Sequence, residues 1–209
     1  TWYMKRFAGL SEDGLSLWYY TDKETDEEKT TTTYSTGDFY LCGDPNPDLY
    51  GGFGTSITFH GFDLSTQFSY LVGGLTYDYG YAGMMGNPTA TSVGNRWHKD
   101  VLKAWSPENP SSTIPRWHFN DLNTTGSSDR FLIDGSYLNL QNIQVGYTLP
   151  DSWTSHLKIK NLRLYFVCDN VYYWSKRKGL DPRRSISGVG TSGKIAPFRT
   201  YSGGISLQF

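Results

Sequence analysis

Four histidines, two cysteines and one acidic run are the groups in this chain whose types could do chemistry. His60, His98, His118 and His156 are scattered, and none has a second imidazole or thiolate at metal-ligand spacing. Cys42 and Cys168 are far apart and equally unaccompanied, so neither a metal site nor a disulfide is expected. No HExxH, nucleophile elbow, P-loop or dinucleotide fingerprint is present, and the chain reads as a non-enzyme without a cofactor. The run Asp22, Glu24, Asp26, Glu27 and Glu28, followed by Thr30 to Thr33, lacks the ordered Asp-x-Asp-x-Asp-Gly spacing of a calcium loop. It reads as a solvated excursion rather than an ion or docking site.

Aromatic side chains are the remaining candidates. Trp97, Trp105 and Trp117, with Tyr77, Tyr79 and Tyr81, are the right types to stack on sugar rings or to pack on a partner protein. The competing and preferred reading is loop core or an interfacial girdle, where Trp and Tyr keep one wet and one apolar end. Residues 95–105 are expected to form a short helix in which Trp97, Val101, Leu102 and Trp105 share a face.

The elements that must hold these residues are strands. In 209 residues, 16 Tyr, 11 Phe and 7 Trp supply much of the apolar content, alongside 23 Gly. That mix suits pleated surfaces and tight turns better than helices. A net charge of −1 offers no field for nucleic acid. The chain has no apolar run long enough for a spanning helix, which leaves a barrel open because its strands carry a weaker signal. Thr1 to Arg6 does not resemble a secretory signal, so a signal, if used, is expected upstream.

Period-two alternation marks strands at about 51–60, 62–73, 136–149, 159–174 and 198–209. Phe53, Ile57 and Phe59 share one face, as do Phe62, Leu64, Phe68, Tyr70 and Val72, with His60-Gly61 as the turn. The third strand loses its alternation near Gln141-Asn142, which marks either a bulge or a membrane boundary. Short connections at 60–61 and 150–158 contrast with long ones at 74–135 and 175–197 and an irregular region at 1–50 with room for an edge strand. Outer-membrane barrels segregate short periplasmic turns from long external loops in this way. A soluble β-sandwich that binds carbohydrate fits the alternation equally well, with the aromatic face as its core.

Several motifs in sequence order resemble the SusC/RagA type of TonB-dependent outer-membrane transporter. Tyr50-Gly51-Gly52-Phe53 and Phe59-His60-Gly61-Phe62-Asp63-Leu64-Ser65 resemble that family's "YGGF … YKGFDLS" hairpin. Asp134-Gly135-Ser136-Tyr137-Leu138 running into Val145-Gly146-Tyr147-Thr148-Leu149-Pro150 is similar to its "DGSYLRLKNITLGYTLP" strand. Leu162-Arg163-Leu164-Tyr165 through Asn170 resembles "LRVYVSGQNLF", Gly179-Leu180-Asp181-Pro182 resembles "G-x-DPE", and Pro197 to Tyr201 resembles "YPxPRTY". The likeness covers roughly 50–209, with Asn139 in place of Arg, Cys168 and Asp169 in place of a small-residue pair before Asn170, and Arg183 in place of Glu.

The resemblance implies an all-β fold: the C-terminal strands of a large antiparallel transmembrane barrel with long extracellular loops, in the bacterial outer membrane. It implies import of glycans or peptides, energised through TonB, under a SusD-like surface lipoprotein lid. The rest of the barrel and its plug would be further partners, since five or six strands cannot close alone. Tyr201, Ile205, Leu207 and the terminal Phe209 match the last-strand signal read by barrel-assembly machinery in this protein class. A plug-free porin is a third possibility.

Overall fold

The computed structural model describes residues 1–88, 96–121, 126–154, 159–176, 181, 183 and 197–209. Expectations placed on His156 and on Gly179, Leu180 and Pro182 lie outside these residues. The chain divides into two units, one built mainly from 1–46 and 74–134, the other from 47–73, 135–183 and the C-terminal strand.

The second unit is one antiparallel sheet of five long strands: β6 (Leu49–Phe59), β7 (Phe62–Val72), β10 (Tyr137–Thr148), β11 (Asn161–Ser175) and β12 (Thr200–Gln208). Their order is β12-β11-β10-β7-β6, with β6 and β12 at the open edges. Eleven residues at about 3.3 Å rise, tilted as barrel strands are, cover a hydrocarbon layer of about 25 Å.

Register decides the faces. Ile57 pairs with Leu64, Leu64 with Val145, Val145 with Phe166, and Phe166 with Gly203, so one continuous row crosses all five strands. On that face Phe53, Ile57, Phe59, Phe62, Leu64, Val145, Leu164, Phe166, Ile205 and Leu207 stay between 37% and 70% exposed. A sandwich would cover this face with a second sheet; none does so among the described residues. The opposite face carries Ser56, Asp63, Ser65, Gln67, Asn142, Gln144, Arg163 and Ser206.

The broken alternation at Gln141 is a bulge: β10 has one more residue than β7 there, and β11 gains another at Asn170-Val171. Asn170 takes a left-handed φ of 51°, and its amide donates to Phe198 O at 3.1 Å. The bulges keep Leu138 and Leu140 on the face of Ile143, because an extra residue restores the parity that a straight ladder would reverse.

Sequence types explain the turns. His60 and Gly61 take φ of 47° and 83°, the paired positive values of a two-residue hairpin turn. Pro150 stops β10, and α2 (Asp151–Thr154) follows it. Register puts the 60–61 turn, the end of β10, the start of β11 and the end of β12 at one end of the sheet, and the starts of β6, β10 and β12 and the ends of β7 and β11 at the other.

The first unit is more regular than the loop region expected at 1–50. β1 (Tyr3–Lys5) pairs with β5 (Phe39–Leu41), β2 (Phe7–Leu10), β3 (Ser16–Thr21) and β4 (Glu28–Thr31) form a sheet, and β8 (Leu75–Tyr77) pairs with β9 (Leu132–Asp134). Strands of three to six residues are too short for period-two alternation to register. Met4, Tyr77, Met85 and Phe131 form its core, flanked by Trp2, Tyr81, Val101 and Ile114. Cys42 and Cys168 are both free.

Gly146 lies directly beneath an ion pair that spans three strands. Arg163 on β11 reaches across β10 to Asp63 on β7, its Nε donating to Oδ1 at 2.9 Å and Nη2 to Oδ2 at 2.5 Å. A Cβ on Gly146 would overlap both partners. Gly146→Val is expected to destabilise the full-length protein by about 1–3 kcal/mol in denaturant unfolding, whereas Gly203→Ala, whose Cβ meets nothing nearer than 3.8 Å, should be tolerated.

Candidate functional site

Two surfaces have the chemistry to act. The first is the two-faced sheet. Its apolar face ends in aromatic rows: Phe59, Phe62 and Tyr147 at the turn end, and Tyr70, Tyr172 and Trp174 at the other. Phe62 and Tyr70 are eight residues apart along β7, about 26 Å along the strand, so at the tilt of barrel strands the rows bracket a band about 20 Å tall. Rings at two levels with a continuous apolar band between them, Leu64, Val145 and Leu164 together with Phe53, Phe68 and Phe166, form the girdle pattern of a wall that meets lipid headgroups on both sides. Tyr201, Ile205 and Leu207 lie on this face of β12, and Phe209, just beyond it, is also exposed.

The second surface belongs to the first unit, which separates the six loop aromatics. Tyr77 is 3% exposed, in the core, with its ring 4.5 Å from Tyr79 and 6.1 Å from Phe131. Tyr81, in α1 (Tyr79–Met84), donates its hydroxyl to Asp100 at 3.1 Å and packs on His98. Trp105 lies against Gly14, whose φ of 74° and missing Cβ admit the ring. Trp97 and Trp117 come together edge to face at 5.4 Å, and both indole N–H groups donate to Gly86 O, at 3.1 and 3.3 Å. These two, with Tyr79, keep more than a third of their surface exposed.

The helix expected over 95–105 is a 3-10 turn at Lys99–Lys103. Its tighter winding separates the residues assigned to one face: Val101 packs on the core while Leu102 is 90% exposed. His98 caps the turn, its Nδ1 accepting from the Asp100 N–H at 3.2 Å.

The acidic run is the β3–β4 turn. Asp22 accepts from Lys29 Nζ at 2.5 Å and from the Glu24 N–H at 3.0 Å, and Glu28 accepts from Arg6 at 2.8 Å. Among the described residues no three His, Cys, Asp or Glu side chains group as metal ligands.

Charges that sequence spacing did not single out turn out to be structural. Lys5 is buried, donates to Gly37 O at 2.5 Å and Ser35 O at 3.3 Å, and faces the rings of Tyr34 and Phe39. Its partners are carbonyls and rings from 29 or more residues along, so no local motif announces them. Asp129 accepts from the Phe7 N–H at 2.8 Å, and burial pushes its carboxyl above the usual range. Burial likewise pushes the neighbouring Arg130 guanidinium down.

With this geometry in view, known proteins locate the chain. No family model matches it. It is 30% identical over 185 residues to TonB-dependent receptor P3 of Formosa agariphila, covering 84% of this chain and 18% of that protein. It is 27% identical over 182 residues to TonB-dependent receptor SusC of Bacteroides thetaiotaomicron, covering 85% and 17%. The solved RagAB peptide transporter superposes on all of this chain and 23% of its own, with a TM-score of 0.81 at 25% identity. In its open-open state the RagAB peptide importer matches with a TM-score of 0.78 at 26% identity. The chain belongs to the SusC/RagA-type TonB-dependent receptors.

It spans under a fifth of the length of these curated relatives. As part of a SusC/RagA-type barrel, the five-stranded sheet is transmembrane wall, and the open edges at β6 and β12 are where further strands pair.

Because folding raises the carboxyl pKa of Asp129, its contribution to stability is present at low pH and is lost as pH rises through the raised value. Hydrogen-exchange protection of the Phe7 amide in the full-length receptor is therefore expected to fall over that window. Asp129→Asn, which keeps an acceptor for Phe7, should flatten the dependence.

Proposed function

We propose that this chain forms part of the wall and mouth of an outer-membrane importer that takes up glycans or peptides, driven through TonB and covered by a SusD-like lipoprotein. The observation that carries this reading is the exposed apolar face of the sheet, bounded by aromatic rows and backed by a polar face. The relatives named as TonB-dependent receptors and the RagAB peptide transporter support it. Transport of this kind is gating, with no bond chemistry asked of the chain.

In this arrangement the polar face lines a plugged lumen and the first unit, with 175–197, stands at the extracellular mouth. Trp97, Trp117 and Tyr79 are the exposed aromatics there, and we assign them to contact with cargo or lid. Tyr77, Tyr81 and Trp105 hold the unit together beneath them. Tyr201, Ile205, Leu207 and Phe209 act as the assembly signal.

Three measurements on the full-length receptor test the reading. Cells that rely on it for one glycan or peptide should lose uptake when TonB is deleted; uptake that persists would indicate a plug-free pore instead. Val145→Arg, at the middle of the apolar band, should cost about 2–4 kcal/mol in the lipid-inserted barrel, with Gln144→Arg on the other face tolerated. Trp97→Ala with Trp117→Ala should weaken cargo or lid binding about tenfold or more. Unchanged binding would reduce the pair to loop packing.

A further inference from the structure

The apolar face of the sheet dips where β7 and β11 end. Tyr70 on β7, Leu138 on β10 and Trp174 on β11 lie in register, a short aliphatic side chain between two large rings. The strands that carry the rings are two ladder spacings apart, about 10 Å. Between them runs a groove of about 540 Å³, with Tyr70 and Val72 on one side, Trp174 and Lys176 on the other, and Leu138 and Ser136 along its floor. That volume is of the size that holds small ligands. Val72 and Trp174 are about half exposed, and Lys176, just past the end of β11, is exposed. Along the groove come an aliphatic floor at Leu138, amphipathic rings at Tyr70 and Trp174, and then a cation. This is the order in which a bilayer passes from acyl chain to headgroup.

We propose that this groove is a binding site for a phosphorylated membrane lipid, with an acyl chain laid on Leu138 between the two rings and the phosphate on Lys176. Three observations select that occupant. The groove is continuous with the face of the wall that meets lipid, so hydrocarbon is what fills it. Lys176 adds a charge partner that only an anionic headgroup can use, its stem lying along the groove while its ammonium reaches the aqueous side. The floor is also fixed in place: Ser136 Oγ accepts from the Gly73 N–H at 2.9 Å and ties the end of β7 to the start of β10, so little ordering is left for the lipid to offset. Assignment of this end to the outer leaflet rests on the importer reading; contact between the groove and a phosphorylated lipid does not.

The test is native mass spectrometry of the full-length receptor, purified in detergent and titrated with lipid A that carries its phosphates or with dephosphorylated lipid A. The parent should bind the phosphorylated lipid saturably and the dephosphorylated one about fivefold more weakly. Lys176→Gln should weaken binding of the phosphorylated lipid by about the same factor and leave the other unchanged, and Lys176→Arg should bind as the parent does. Leu138→Trp, which fills the groove, should weaken both. Heat-dependent gel mobility reports that each barrel is folded. Equal affinity for the two lipids, binding that neither Lys176→Gln nor Leu138→Trp reduces, or displacement of the lipid by inorganic phosphate would overturn the proposal. Because uptake is not read, failure of the importer reading would leave these affinities as they are.

Discussion

A backbone amide or carbonyl left unpaired in hydrocarbon costs several kcal/mol, and no water is there to satisfy it. The long-strand unit is organised around that cost. Ladders between β6, β7, β10, β11 and β12 satisfy their interior groups, and the unsatisfied ones collect at the two edges. Such a sheet is stable in a membrane only as a segment of a closed cylinder, which agrees with a chain matching under a fifth of each curated relative and nearly a quarter of the RagAB structures. The same constraint makes register strict, since slipping a strand by one residue would turn aromatic side chains into the lumen and serines toward lipid.

Within this frame, departures from regular pleating all protect the separation of faces. Bulges at Gln141 and at Asn170-Val171 restore parity where the polar pair Asn142 and Asp169, joined at 2.8 Å, would otherwise shift sides. Gly146 leaves room on the polar side for a three-strand ion pair, and Gly51 and Gly204 accept the rings of Tyr70 and Tyr165 from neighbouring strands. The wall is thus held by backbone bonds throughout and pinned on its polar side by a few charge-assisted contacts.

The unit formed by 1–46 and 74–134 solves a different problem. Its strands are too short to bury much individually, so it relies on large rings, Trp18 between Phe7 and Tyr34 and Tyr77 between Trp2 and Phe131, with cations such as Lys5 and Arg6 laid on aromatic faces. Each of these contacts joins residues distant along the chain.

The sequence by itself determined what depends on local spacing. Alternation in Phe62–Val72 and Asn161–Ser175, the His60-Gly61 turn, the stop at Pro150 and the disturbance at Gln141 are written in neighbouring residues, because a strand's faces repeat every two positions. The collinear motifs named the family for the same reason. What only the tertiary structure decided involves partners remote along the chain: that Tyr77 is core while Trp97 and Trp117 are a surface pair, that Lys99–Lys103 winds as a 3-10 turn, that Arg163 reaches Asp63 over Gly146, and that Asn139 holds Arg183. Burial and pairing are properties of the folded chain's neighbourhoods, and separations of 44 or 100 residues leave no periodic trace to read.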